Sequence, residues 1–182
     1  MNVIVNVDRN WAIGNNGRLL FPLPQDLKRF KELTTGKIVV MGRKTFQSLP
    51  DGKPLSNRIN VVLSRKKAFK AEGAAVFSST SGFVRAIRNG FYKPYTGTDF
   101  FVIGGGEIYR QFFPFCDTAY VTKVNAAAQD ADTFFPNLDK NAEWKQVEIS
   151  NELEQNGLSF CFVKYVRVKP NAKNATRTDI FT

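Results

Sequence analysis

Asp99-Phe100-Phe101-Val102-Ile103-Gly104-Gly105-Gly106-Glu107-Ile108-Tyr109-Arg110-Gln111-Phe112-Phe113 is the stretch on which the fold turns. Phe100 to Ile103 form a short apolar run of aromatic and β-branched side chains, the pattern of a strand buried on both faces. Past the glycines, Ile108, Phe112 and Phe113 fall near i, i+4 and i+5, which gives a helix one apolar face. The change of period therefore predicts a strand, a tight turn and a helix. Gly104, Gly105 and Gly106 remove Cβ atoms where a ligand could approach the backbone, and the helix behind them offers unpaired N–H groups and the positive end of its dipole. That suits a phosphate or pyrophosphate; three glycines equally suit a plain tight turn. The G-x-G-x-x-G spacing is absent, because Tyr109 stands where its last glycine would be.

Working outward, the same alternation of strand and helix recurs. Val3 to Val7 reads as a strand, and Asp8 to Leu23, rich in Asn, Gly and Pro, as a long loop. Pro24 suits the first turn of a helix to about Thr34, closed by Gly36. Strands are expected at Lys37 to Met41, Ile59 to Leu63 and Ala74 to Phe77, with helices from Gly42 through Leu49 and from Thr80 to Arg88. Tyr92 to Thr98 reads as a surface loop. Thr118 to Val124 is a further strand, and Trp144 to Ile149 with Ser159 to Val166 read as an antiparallel pair, Asn156-Gly157 lying between them. Strands alternating with helices imply one α/β domain, residues 1–169, with a mostly parallel sheet covered on both faces and the last pair as its antiparallel edge. Residues 170–182 are polar and aperiodic and are expected to form a disordered tail, in which Asn174-Ala175-Thr176 matches a glycosylation pattern by coincidence.

Composition narrows the function. The 182 residues are 43% hydrophobic, enough for a core without staples. Cys116 and Cys161 read as buried free thiols of a reducing compartment. No signal peptide or membrane span is evident, which gives a cytoplasmic expectation. With 26 basic and 16 acidic side chains, net +10, an anionic partner is expected. The cations are scattered, Arg65-Lys66-Lys67 being the densest group, so a small polyanion fits as well as nucleic acid. With no histidine in the chain, an acid–base step near neutral pH falls to a carboxylate, lysine, tyrosine or water.

Asp26 is the carboxylate that stands out. It shares the i, i+4, i+7 face of its helix with Phe30 and Leu33, so it should point inward, and no nearby basic residue clearly shares that face. A first-turn aspartate favoured by the helix dipole is the plainer reading; a buried carboxylate in need of a partner is the functional one.

Four separated motifs then come together: Trp11-Ala12-Ile13-Gly14 followed by Leu23-Pro24-Gln25-Asp26-Leu27; Val40 to Leu49; Arg58 to Ser64; and Val102 to Tyr109. In this order and at compatible spacing, from about Val3 to Arg167, the chain resembles dihydrofolate reductase. The resemblance implies an eight-stranded sheet, seven strands parallel and the last antiparallel, with a cleft between the sheet, the loop before Pro24 and the helix after it. It implies NADPH-dependent reduction of 7,8-dihydrofolate, with hydride passing from nicotinamide C4 to pterin C6 and a proton reaching N5.

The site residues follow from the same resemblance. Asp26 would hold pterin N3 and the 2-amino group, supported by Thr122; a carboxylate suits such a paired donor edge. The carbonyls of Ile4 and Ile103 would flank ring position 4. Phe30, Leu49 and Leu55 would wall the pterin and aminobenzoyl rings, Arg58 and Lys31 would meet the glutamate tail, and Tyr109 would border both ligands. On the cofactor side the resemblance implies peptide contacts from Asn6 and Ala12, and a loop of Ile13, Gly14, Asn15, Asn16, Gly17, Arg18 and Leu19. Two helix N-termini, Gly42-Arg43-Lys44-Thr45 and Gly104-Gly105-Gly106-Glu107-Ile108-Tyr109 with Gln111, would face the pyrophosphate. Arg43, Ser64 and Arg65, after Leu63, would meet the 2′-phosphate. No metal is expected.

Departures from the best-known bacterial pattern are Phe21, at a catalytic position where tryptophan is common, and Glu107, where a basic residue often sits. A pyrimidine reductase of riboflavin biosynthesis and a basic nucleic-acid-binding module are the competing readings. Asp26 after Leu-Pro-Gln, with Arg58, favours folate, and aromatics confined to strand and helix runs disfavour nucleic acid. A monomer that binds antifolate inhibitors is expected.

Overall fold

The computed structural model describes residues 1–168, so the expected tail from Pro170 and its Asn174 pattern lie outside the described residues. In chain order the elements are β1 (Asn2–Val7), β2 (Ala12–Asn15), β3 (Arg18–Leu19), α1 (Pro24–Thr34), β4 (Ile38–Gly42), α2 (Arg43–Gln47), β5 (Ile59–Leu63), β6 (Ala75–Phe77) and α3 (Thr80–Arg88). There follow β7 (Phe100–Gly104), α4 (Gly106–Phe112), β8 (Thr118–Val124), β9 (Thr133–Phe134), β10 (Trp144–Ile149), β11 (Leu153–Gln155) and β12 (Leu158–Arg167).

The main sheet runs β10-β12-β8-β1-β7-β4-β5-β6. β12 is antiparallel to both β8 and β10, while the pairs from β8 to β6 are parallel, so seven strands run one way and β12 the other, as expected. β11 adds a short ninth strand on β12, through a hairpin whose Asn156 and Gly157 both have positive φ (55° and 73°).

Side-chain alternation explains why these central strands read as continuous apolar runs. Val3, Val5 and Val7, Ile38 and Val40, Val61 and Leu63, Phe100 and Val102 join one cluster with Phe83 of α3 and Ile108 and Phe112 of α4. Ile4, Val39, Met41, Val62 and Phe101 join the other with Phe46 of α2, and Phe30 and Leu33 of α1 pack against it. Both faces are therefore buried, α3 and α4 on one and α1 and α2 on the other.

Three expectations need correction. The segment from Asp8 to Leu23 is not only loop: Asn16 and Gly17, at φ 49° and 78°, turn β2 onto β3, and β9 pairs with β2 to complete a second, three-stranded sheet. The Tyr92 to Thr98 segment is not merely surface, since Tyr92 is buried against Phe83 and Phe100, its ring centroid 5.6 and 5.7 Å from theirs. Of the two cysteines only Cys116 is fully buried, its thiol donating to the Phe112 carbonyl at 3.3 Å; Cys161 is half-buried. Among the described residues no helix is long and apolar enough to cross a membrane.

Candidate active site

Although the chain reaches it after β4, β5 and β6, β7 lies between β1 and β4, so the strand order reverses there. In open α/β sheets ligands bind outside the carboxyl ends of the strands at such a switch point. Asn6 of β1, Gly42 of β4, Leu63 of β5, Gly104 of β7 and Thr122 of β8 all lie at or near that edge. An open concavity of about 300 Å³ beside Met1, Asn2 and Asp117 lies at the opposite, amino-terminal edge.

Pro24 opens α1 at its first position, Leu23 at the N-cap offers no side-chain acceptor, and Gln155 Oε1 of β11 accepts the Gln25 N–H at 3.0 Å; Asp26 stands in the first turn near the positive dipole end. The carboxylate is half-buried and points inward to the sheet. Thr122 Oγ1 donates to its Oδ1 at 2.6 Å, and Asn6 Nδ2 donates to its Oδ2 at 3.1 Å. Asn6 and Thr122 are direct partners in the β1–β8 register, which brings both side chains to one carboxylate. The Thr122 hydrogen bond is the contact that the family resemblance implies. The Asn6 side chain is an addition to its expected peptide role; the alternation of β1 puts Asn6 on the face of Ile4, opposite Val3, Val5 and Val7, but only the β1–β8 register brings it to Asp26.

Arg29 corrects the expectation that no nearby basic residue clearly shares the face of Asp26: it stands at i+3 on α1 and feels the Asp26 charge. Its guanidinium lies 4.3 Å from the Phe162 ring centroid and 5.9 Å from that of Tyr120. Burial lowers its pKa, and the charge of Asp26, followed by those of Tyr120 and Glu148, opposes that shift. Among the described residues no salt bridge joins Arg29 to Asp26.

Phe30, Leu49, Leu55 and Ile103 are half-buried and pack against the apolar cluster of Ile4, Met41 and Phe101. Tyr109 Oη donates to the Ile4 carbonyl at 2.7 Å. Burial and, after it, the charge of Asp26 raise the Tyr109 pKa, so the phenol stays a donor. Arg58 is oriented by Nε to the Ser56 carbonyl at 2.9 Å and Nη1 to Thr34 Oγ1 at 3.1 Å, its guanidinium 5.8 Å from the Phe30 ring centroid. Burial lowers its pKa. Lys31 is exposed on the same helix. Phe21 packs, half-buried, on Leu23, Val124 and Phe160, and its carbonyl accepts the Asn6 amide at 3.2 Å.

The second half of the site is backbone. Gly42 and Gly105 are the N-caps of α2 and α4, and neither helix has a side-chain cap. A Cβ on Gly42 would come 3.9 Å from the Gly104 carbonyl oxygen, which puts the two helix starts side by side. At φ 109° Gly104 takes a conformation that favours glycine, and a Cβ there would meet the Tyr109 ring at 3.1 Å. A Cβ on Gly106 would lie 2.5 Å from Thr133 Cγ2 of β9. The Gly104–Gly105 peptide is cis. Two sets of first-turn N–H groups therefore share one edge, a setting for an anion.

The other cofactor-side candidates divide by burial. Ala12, Ile13 and Gly14 are buried in β2, Asn15 is half-buried, and Asn16 to Leu19 form the exposed β2–β3 hairpin. Lys44 is exposed and Thr45 half-buried in α2. Arg43 Nη1 donates to Gln47 Oε1 at 2.6 Å, Leu63 and Ser64 are buried, Ser64 Oγ accepts the Lys66 N–H at 3.2 Å, and Arg65 is exposed. Glu107 pairs with Arg110 and accepts from Gln111 Nε2 at 2.6 Å, so its charge is engaged within α4. Ile108 is buried. Among the described residues no group of His, Cys, Asp and Glu could hold a metal ion.

A family model described as dihydrofolate reductase matches residues 1–167. The chain belongs to the dihydrofolate reductase family. Dihydrofolate reductase of Haemophilus influenzae is 39% identical over 151 residues, which cover 81% of this chain and 83% of that protein. The Bacillus subtilis dihydrofolate reductase is 35% identical over 91% of this chain and 93% of its own length. The bifunctional dihydrofolate reductase-thymidylate synthase 1 of Arabidopsis thaliana is 36% identical over 96% of this chain, but this chain spans only 36% of its length. Among solved structures, dihydrofolate reductase from Enterococcus faecalis complexed with NADP(H) and RAB-propyl superposes with a TM-score of 0.76 at 30% identity, covering 91% of this chain and 95% of that one. Family membership agrees with the sheet order and with the uncapped helix starts at its switch point.

Proposed function

We propose that this chain reduces 7,8-dihydrofolate to 5,6,7,8-tetrahydrofolate with NADPH. The observation that carries the reading is the Asp26 carboxylate, each oxygen held by a neutral donor, at the same edge of the sheet as two helix N-termini without side-chain caps. Those helix starts, and the side-chain-free edge of Gly42 and Gly105, fit the pyrophosphate of NADPH, with Arg43, Ser64 and Arg65 at its 2′-phosphate. When bound, the nicotinamide supplies the hydride. The chain's own residues do the rest.

Asp26 accepts from pterin N3–H and the 2-amino group, fixing the ring's position, while Thr122 keeps the carboxylate turned towards it. Phe30, Leu49, Leu55 and Ile103 exclude water from the ring faces, and Arg58 pairs with the glutamate tail. Asp26 is the only ionisable side chain assigned to the pterin, and water delivers the proton to N5. Phe21 contributes packing there and no ring N–H. The same reading takes antifolate inhibitors at Asp26, requires no nucleic acid, and describes a cytoplasmic monomer. Sedimentation velocity tests the monomer.

Absorbance at 340 nm with NADPH and dihydrofolate tests the function. Loss of absorbance that requires dihydrofolate is expected. No loss with dihydrofolate, together with turnover of a pyrimidine intermediate of riboflavin synthesis, would overturn it.

A further inference from the structure

The Asn6 amide is tied at two points. Nδ2 donates to Asp26 Oδ2 at 3.1 Å and to the Phe21 carbonyl at 3.2 Å. Both neighbours are pure acceptors, so the amide nitrogen rather than the amide oxygen must face them. Its Cα partner across the parallel pair is Thr122, whose hydroxyl donates to the other oxygen, Oδ1, at 2.6 Å. One rung of the sheet thus holds both oxygens of a single carboxylate.

An ionised carboxylate accepts at about four lone-pair sites, two on each oxygen. Thr122 fills one on Oδ1 and Asn6 one on Oδ2, which leaves one on each. Two donors set side by side on a flat heterocycle need that remainder, and they need the carboxylate plane fixed. With Thr122 alone, the group could turn about its Oδ1 contact. Asn6 removes that rotation, and its second bond ties the same rung to the backbone just before α1.

We infer that Asn6 is a positioning residue for the substrate: with Thr122 it fixes the Asp26 carboxylate so that its two free acceptor sites meet the paired N–H donors of the pterin. This rests on the proposed role of Asp26 as the pterin anchor. Asn6 touches neither reacting ring through its side chain; it acts through Asp26.

The test is a double-mutant cycle. Wild type, Asn6→Ala, Asp26→Asn and the double variant are compared for dihydrofolate KM, kcat and NADPH Kd, and Asn6→Asp is added as a same-shape variant that presents an acceptor. Losing one hydrogen bond to a charged group should raise the dihydrofolate KM of Asn6→Ala by roughly 10-fold. NADPH Kd should stay within about twofold, since the peptide group is kept and the remaining contacts are elsewhere. Asn6→Asp should do worse than Asn6→Ala, because a packing role would favour the isosteric side chain and a donating role forbids it. In the Asp26→Asn background, Asn6→Ala should change KM by less than about twofold. Equal losses in both backgrounds, or wild-type KM for Asn6→Asp, would overturn the inference while leaving Asp26 as anchor. Wild-type turnover by Asp26→Asn would overturn the anchor and the inference together.

Discussion

Tyr92 sits in a cage of rings, with Phe83, Phe91 and Phe100 within 5.1 to 5.7 Å, and its buried hydroxyl has no hydrogen-bond partner among the described residues. Burial pushes the phenol up to about 12. Tyr92→Phe keeps the packing and removes the orphan polar atom, so a gain of about 1 kcal/mol is expected from urea unfolding at pH 7. Because the folded value is raised, the hydroxyl's contribution is constant below about pH 10, the unfolded value, and wild type loses stability as pH rises through 12. The advantage of the phenylalanine variant should therefore widen across that window; a variant less stable than wild type would show a partner for the hydroxyl. At this scale Asp26 was legible, since its helical spacing with Phe30 and Leu33 turned it inward. The Asn6 amide and Arg29 were not. The contact from Asn6 spans 20 residues and depends on the β1–β8 register; Arg29 lies at i+3 from Asp26, but its seat over the Phe162 ring depends on β12, more than 100 residues away.

Among elements, Lys37 and Asp99 precede the adjacent parallel strands β4 and β7, and their side chains meet at 2.5 Å. Asp99 also accepts from the Thr96 N–H at 2.8 Å and its hydroxyl at 3.0 Å, closing the turn into β7. The Lys37 hydrogen bond, then the Thr96 peptide, hold the Asp99 pKa below its usual range. A depressed carboxylate contributes its stability above the unfolded value near 4 and loses it as pH falls through the folded value. Asp99→Asn should thus cost about 1 kcal/mol at pH 7, with the gap to wild type closing below about pH 4. A gap unchanged by pH would assign the effect to the turn alone. The parallel strands were legible because burial on both faces makes them continuous apolar runs. The small sheet was not: β3 and β9 have two residues each, and β9 meets β2 across more than 110 residues, beyond any local period. Asn16-Gly17 was the one local signal for it. β10 is exposed at five of its six positions, so the alternation visible in its sequence is not an alternation of burial.

For the whole molecule, the charge of +10 draws anions without distinguishing them, and the site must supply the distinction. If Arg43 and Arg65 both reach a 2′-phosphate, each charge-assisted hydrogen bond supplies about 1.5 to 3 kcal/mol before screening. Arg65 is exposed and Arg43 half-buried, so screening leaves an expected total preference for NADPH over NADH of about 10² at moderate salt. Changing both to alanine should weaken NADPH and flatten its salt dependence while NADH binding holds; equal losses for the two would reduce these arginines to general attraction. The catalytic claim rests on a single carboxylate, and the turnover of Asp26→Asn tests it most directly. With dihydrofolate and NADPH at pH 7, a fall of about 10² or more is expected, the scale of losing a positioned polar group, with NADPH affinity nearly unchanged. Turnover at the wild-type rate would contradict the assignment of Asp26 as the pterin's anchor.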